Sequence, residues 1–143
     1  MDDRFLTTND GALRYSILGD ASAPRTLVCH PGGPGMSAAY FGDVAGLGSG
    51  SLRVVLLDPR GTAATSPPAD GGYELERYAA DVDALREHLG LERIDLLGHS
   101  HGGFVAIVYA LEYPQRLGRL VLACSAPRFA AELRDEAQAA YAR

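Results

Sequence analysis

Short apolar runs alternate along this chain with longer segments in which apolar positions recur every three or four residues. The run Val54-Val55-Leu56-Leu57 is continuous and rich in β-branched residues, the pattern of a strand buried on both faces. Shorter runs of the same kind occupy 26–29 and 94–97, and another spans 117–124. Residues 12–18 follow the turn signal Asn9-Asp10-Gly11, which predicts an N-terminal hairpin. Leu75, Tyr78, Ala79, Val82, Leu85 and Leu89 carry helical spacing, and Gly90 supplies the stop. A second helix is expected over 102–113, ended by Pro114, and a third over 130–141. Segment 36–47 is expected to hold one helix weakened by its glycines. Strands alternating with helices predict βαβ units and a mainly parallel sheet, so the fold class is α/β. There is no internal repeat.

Composition narrows the picture. The 143 residues are 47% hydrophobic and 22% charged, in the range of one globular domain able to bury a core without disulfide staples. All 13 cationic residues are arginines, against 18 carboxylates, for a net charge of −5. No basic block is present, which argues against a nucleic-acid or anionic-membrane surface as partner. No apolar run approaches the ~18 residues of a membrane span. The opening residues lack the charged-then-apolar form of a signal peptide, so a cytoplasmic location is expected. Cys29 and Cys124, each ending an apolar run, are expected to be buried thiols.

Chemistry enters at Gly98-His99-Ser100-His101-Gly102, a G-x-S-x-G pentapeptide between a strand and a helix. A serine on so sharp a turn is held in a strained backbone that pushes its Oγ outward. Small residues at Gly98 and Gly102 are required because the backbone passes close to its neighbours there. The helix beyond points amides, and its positive dipole end, at a developing oxyanion. Ser100 is thus the candidate nucleophile. A second loop, His30-Pro31-Gly32-Gly33-Pro34-Gly35, follows an earlier strand. Its glycines let main-chain N–H groups approach a ligand, so Gly32 and Gly33, with the amide of His101, are candidate oxyanion donors. A phosphate-binding loop is the rival, but neither G-x-G-x-x-G nor a Walker lysine is present. Asp58 and Arg60, at the end of a central strand, are expected to organise their loop by hydrogen bonds. Asp81 and Asp83 are expected to be solvent-exposed or capping. His88 near a helix end is expected to face the C-terminal dipole. No His/Cys cluster has metal-ligand spacing, and no cofactor is implied.

The loop 32–35, the run Asp58-x-Arg60-Gly61 followed by Ser66, and the elbow at Ser100 resemble, in this order, the α/β-hydrolase superfamily and within it the proline iminopeptidase-like branch. Two departures stand out: Pro31 separates His30 from the glycines, and Ala64 replaces a glycine of the second motif. The resemblance implies an α/β-hydrolase fold, mostly parallel, with an N-terminal hairpin and flanking helices. Residues 26–29, 53–57, 94–97 and 117–124 would be its third to sixth strands. It places 1–128 in the N-terminal part of the hydrolase core and 129–143 at the start of a cap. It also puts Cys29 and Cys124 two strand spacings apart, about 9.5 Å, too far for a disulfide.

A serine hydroxyl needs a base. In the family the order is nucleophile, acid, histidine, yet His30, His88, His99 and His101 all lie at or before the elbow. The chain is therefore expected to be the N-terminal half of a hydrolase, truncated after the sixth strand and inactive alone. The resemblance implies release of an N-terminal residue from short peptides. An ester, lactone or amide hydrolase of the same fold is the alternative, as is a non-catalytic or complementing fragment that acts as an assembly partner. The apolar strand 117–124 would then be an open edge, inviting a C-terminal half or self-association.

Overall fold

A computed structural model describes residues 3–48 and 50–126. Strands β1 (Arg4–Thr8) and β2 (Gly11–Leu18) form the expected hairpin, in register from Arg4–Tyr15 to Thr8–Gly11. They are followed by β3 (Arg25–His30), β4 (Leu52–Leu57), α1 (Leu75–His88), β5 (Ile94–His99), α2 (His101–Glu112) and β6 (Leu117–Ala123). The strands form one sheet in the order β1-β2-β4-β3-β5-β6. The hairpin joins β4 antiparallel, whereas β4, β3, β5 and β6 run parallel. All four parallel strands therefore end on the same side of the sheet, where ligands of open α/β sheets are bound.

The continuous apolar runs are explained by two cores, one on each face. Val28, Val55 and Leu57 point toward α1 and α2 and pack with Val82, Leu85, Leu96, Val105 and Tyr109. Their neighbours Leu27, Cys29, Val54 and Leu56 point the other way and pack with Ala38 and Phe41. This is the period-2 alternation of a strand covered on both sides.

Several expectations need correction. Segment 36–47 is not one helix: 3-10 structure over Ala38–Leu47 is broken at Gly42 (φ 38°, ψ −105°), a conformation that glycine permits. Asp81 and Asp83 are buried, 6% and 7% exposed, because α1 turns them toward arginines. Arg60 grips Asp81 through two bonds of 2.8 and 2.7 Å, while Asp83 pairs with Arg86 at 2.8 Å and with Arg116. His88 Nε2 meets the Tyr15 hydroxyl at 3.1 Å, so its ring contacts the hairpin. Cys29 is buried, and burial pushes its thiol up to about 12, but Cys124 is exposed beyond the end of β6. Both cysteines are free. Along β6 the side chains of Leu120, Val121 and Leu122 are exposed, since no described element covers that margin of the sheet. The helix expected over 130–141 lies outside the described residues.

Candidate active site

Strand β5 delivers its last residues to a sharp turn. Ser100 has φ 51° and ψ −115°, and α2 begins at the next residue. Two hydrogen bonds hold the turn: Ser100 N–H donates to the Ala123 carbonyl (2.9 Å), and Gly103 N–H donates to the Ser100 carbonyl (2.9 Å). The first ties the elbow to the end of β6. The flanking glycines are steric requirements. A Cβ on Gly98 would stand closer than 3.0 Å to the backbone of Gly102 and Gly103, and one on Gly102 would strike the carbonyls of His30 and Pro31. Gly103 is equally tight against the Ser125 side chain. Strand, turn and helix are thus packed backbone to backbone around Ser100.

The glycine-rich loop reaches the same place from β3. A Cβ on Gly32 would lie 3.1 Å from Ser100 Cβ and 3.1 Å from His99 Nδ1. The Gly33–Pro34 peptide within the loop is cis. Behind it, His30 is fully buried with Nδ1 3.1 Å from the Pro31 carbonyl, an N–H donor to that oxygen. Burial holds its pKa down to about 4, so the ring is neutral at pH 7. It packs edge-on against Tyr78 at 5.8 Å between centroids.

Tyr40 escaped the sequence reading. Gly32 N–H donates to the Tyr40 hydroxyl at 2.8 Å, and that hydroxyl lies 2.7 Å from His99 Nδ1. The Tyr40 hydroxyl thus bridges the Gly32 amide and the His99 ring. The Gly32 amide is therefore engaged. Gly33 N–H meets no acceptor among the described residues, and His101 N–H, the first amide of α2, has no carbonyl partner within its helix. Nothing in the sequence pattern could have flagged Tyr40, which reaches Gly32 only because the chain doubles back over 38–47.

Asp58 and Arg60 are tied into the scaffold. Asp58 is fully buried and accepts from Ala38 N–H (2.7 Å) and Ser37 Oγ (2.8 Å), and it pairs with Arg14. It thereby links the hairpin to the segment that follows the glycine-rich loop. Arg60 bonds to Asp81, Asp10 (3.0 Å) and the Gly72 carbonyl (3.2 Å). Burial opposes its charge, but the carboxylates of Asp81 and Asp10 hold its pKa above the ordinary value.

The His101 side chain turns toward a cavity of about 360 Å³ walled by Pro34, Gly35, Arg60, Thr62, Tyr73 and Tyr78. Its ring stands edge-on to Tyr78 at 5.5 Å, and burial lowers its pKa below the usual histidine value. None of the four histidines donates to or accepts from the Ser100 hydroxyl. Among the described residues no group of His, Cys, Asp and Glu is arranged to hold a metal.

The chain as a whole is similar to known proteins. The family model for the alpha/beta hydrolase fold matches residues 25–142. The chain belongs to this family. It is 38% identical over 112 residues to a proline iminopeptidase of Lactobacillus helveticus, covering 76% of this chain and 38% of that protein. It is 33% identical over 124 residues to a 2-hydroxy-6-oxononadienedioate/2-hydroxy-6-oxononatrienedioate hydrolase of Cupriavidus pinatubonensis, covering 83% of this chain and 43% of that one. A solved hydrolase from Pseudomonas aeruginosa PA01 superposes with a TM-score of 0.80 at 33% identity, covering 99% of this chain and 53% of its own. This α/β-hydrolase chain therefore spans about two-fifths of the length of the curated relatives it matches. None of its described helices is long and apolar enough to cross a membrane.

Proposed function

We propose that Ser100 is the nucleophile of a serine hydrolase whose action is proline iminopeptidase-like, releasing an N-terminal residue from short peptides in the cytoplasm. The observation that carries this is the Ser100 backbone, φ 51° and ψ −115°, locked between β5 and α2 with the glycine-rich loop against it. Ser100 Oγ attacks the acyl carbon as a base takes its proton. The N–H groups of His101 and Gly33, with the neighbouring Gly32 amide if Tyr40 releases it, stabilise the oxyanion. The amine leaves with a proton, and water then cleaves the acyl-enzyme.

The base and its acid come from outside the described residues. His30 is buried and bonded to the Pro31 carbonyl, His88 is bonded to Tyr15, and His99 Nδ1 is engaged by Tyr40. His101, next to the nucleophile, turns its ring into the cavity. The exposed apolar side chains of β6 favour a completing segment or partner chain beside that strand. The resemblance to proline iminopeptidases favours peptides over the esters, lactones or amides that other members of this fold hydrolyse.

The test is to isolate the gene product from its source, measure its intact mass, and treat it with a fluorophosphonate and with L-proline 4-nitroanilide. The expected result is a mass above that of 143 residues or a second chain, an adduct on Ser100, and turnover abolished by Ser100→Ala. Turnover that survives Ser100→Ala overturns the reading.

A further inference from the structure

One amide beside the nucleophile is already taken. Gly32 is buried, and a Cβ placed on it would lie 3.1 Å from Ser100 Cβ. Its N–H donates to the Tyr40 hydroxyl at 2.8 Å. An amide carries one proton, so an oxygen bound at Ser100 gains the full bond from Gly32 only by displacing the phenol oxygen.

Tyr40 is placed both to hold that position and to leave it. Its hydroxyl lies 2.7 Å from Nδ1 of His99, the residue before the nucleophile, and its ring meets the His99 ring edge-on at 5.5 Å between centroids. On the other side the ring stacks on Phe41 at 4.6 Å, and Phe41 packs on the second core. Yet the Tyr40 side chain is 39% exposed, and the segment that carries it is broken two residues later at Gly42. Burial raises the phenol pKa above its ordinary value, so the acceptor at pH 7 is a neutral hydroxyl. A neutral phenol oxygen and the neutral carbonyl of a bound substrate compete for the amide as like against like, with the phenol already in place. A developing oxyanion accepts a charge-assisted bond roughly twice as strong. Gly32 is thereby withheld from the ground state and given to the transition state, the kind of difference that speeds a chemical step.

We propose that Tyr40 is a positioning residue that keeps the Gly32 amide in reserve: its hydroxyl occupies the acceptor place in the resting protein and is displaced by the oxyanion that forms at Ser100. This rests on the reading of Ser100 as the nucleophile. After displacement the hydroxyl keeps His99 as its partner, and the exposed side of the ring gives it water as the other.

The experiment compares the intact gene product with its Tyr40→Phe variant, using a fluorophosphonate as the probe. Ser100 Oγ bonds to phosphorus as fluoride leaves and a base takes the hydroxyl proton, which puts a phosphonyl oxygen where the oxyanion would stand. The second-order rate constant of phosphonylation is expected to rise ~2–10-fold in Tyr40→Phe, because one neutral hydrogen bond no longer has to be broken. Tm is expected to fall, since the buried Gly32 N–H loses its acceptor. A role confined to holding the loop in shape would move both downward. The second readout is the NMR shift of the Gly32 amide in 15N-glycine-labelled protein. The free native and Tyr40→Phe proteins are expected to differ at this amide, and their adducts to converge, because in both adducts it donates to the phosphonyl oxygen. Unchanged or slower phosphonylation in Tyr40→Phe, or a Gly32 difference as large between the adducts as between the free proteins, overturns the proposal and leaves the nucleophile standing. No adduct on Ser100 in either protein sinks the hydrolase reading and this proposal with it.

Discussion

Replacing Ser100 by glycine should make the protein more stable than replacing it by alanine. At φ 51° and ψ −115° a residue with a Cβ is held in a sparsely populated region, at a cost of ~1–3 kcal/mol. The bonds from Ser100 N–H to the Ala123 carbonyl and from Gly103 N–H to the Ser100 carbonyl keep it there. Alanine retains the Cβ and so retains the strain. Glycine removes it and loses ~0.5–1 kcal/mol through the greater freedom of its unfolded chain. The difference leaves Ser100→Gly ahead of Ser100→Ala by about 1 kcal/mol. In urea, with m of ~2 kcal/mol/M, this is a midpoint higher by ~0.5 M at unchanged m. At an unstrained position the order is reversed, with glycine lower by ~0.5–1 kcal/mol, so the sign alone decides. A glycine midpoint at or below that of alanine would refute the claim that the elbow stores strain.

Three further outcomes follow from polar groups of the fold and the site. His30 is neutral in the fold, its pKa pushed down to about 4, whereas an unfolded chain takes the proton near 6.5. Stability from this residue is therefore intact above pH 6.5 and lost as pH falls toward 4, reaching ~3 kcal/mol, and the difference in unfolding free energy between native protein and His30→Gln should shrink across that window; a pH-independent difference would contradict it. Asp81→Asn leaves the 4%-exposed Arg60 side chain with the partly exposed Asp10 as its one remaining carboxylate, and should cost ~3 kcal/mol by urea denaturation; a loss under ~1 kcal/mol would show the pair to be dispensable. Tyr40→Phe removes the acceptor of Gly32 N–H, so hydrogen exchange at that amide should accelerate while β3 stays protected; unchanged exchange would mean that the bond does not persist in solution.

The elements and the elbow were legible along the chain because their causes are local. Val54 to Leu57, β-branched and continuous, has the character of a strand buried on both faces, and the tightness of Gly98 and Gly102 follows from packing a strand against a helix one turn later. The errors arose where a residue's fate depends on a distant partner. Asp81 and Asp83 sit on a helix that, taken alone, gives carboxylates every reason to face water, and the arrival of Arg60 and Arg116 on that face, beside Arg86 of the helix itself, made burial favourable. Segment 36–47, expected to hold one helix weakened by its glycines, instead has 3-10 turns over Ala38–Leu47 broken at Gly42, where glycine permits a backbone that no helix contains.

By itself, then, the amino-acid order determined the fold class, the hairpin, the strand–Ser100–helix turn and the glycine-rich loop, since each rests on periodicity, sterics or backbone freedom within a few residues. The tertiary structure decided which groups meet. It set Gly32 against Ser100, gave the Gly32 amide to Tyr40, and joined Asp58 to Arg14 across 44 positions. Hydrogen bonds and ion pairs act over a few ångströms of space, and sequence separation carries no information about which side chains the sheet order β1-β2-β4-β3-β5-β6 will bring within that reach.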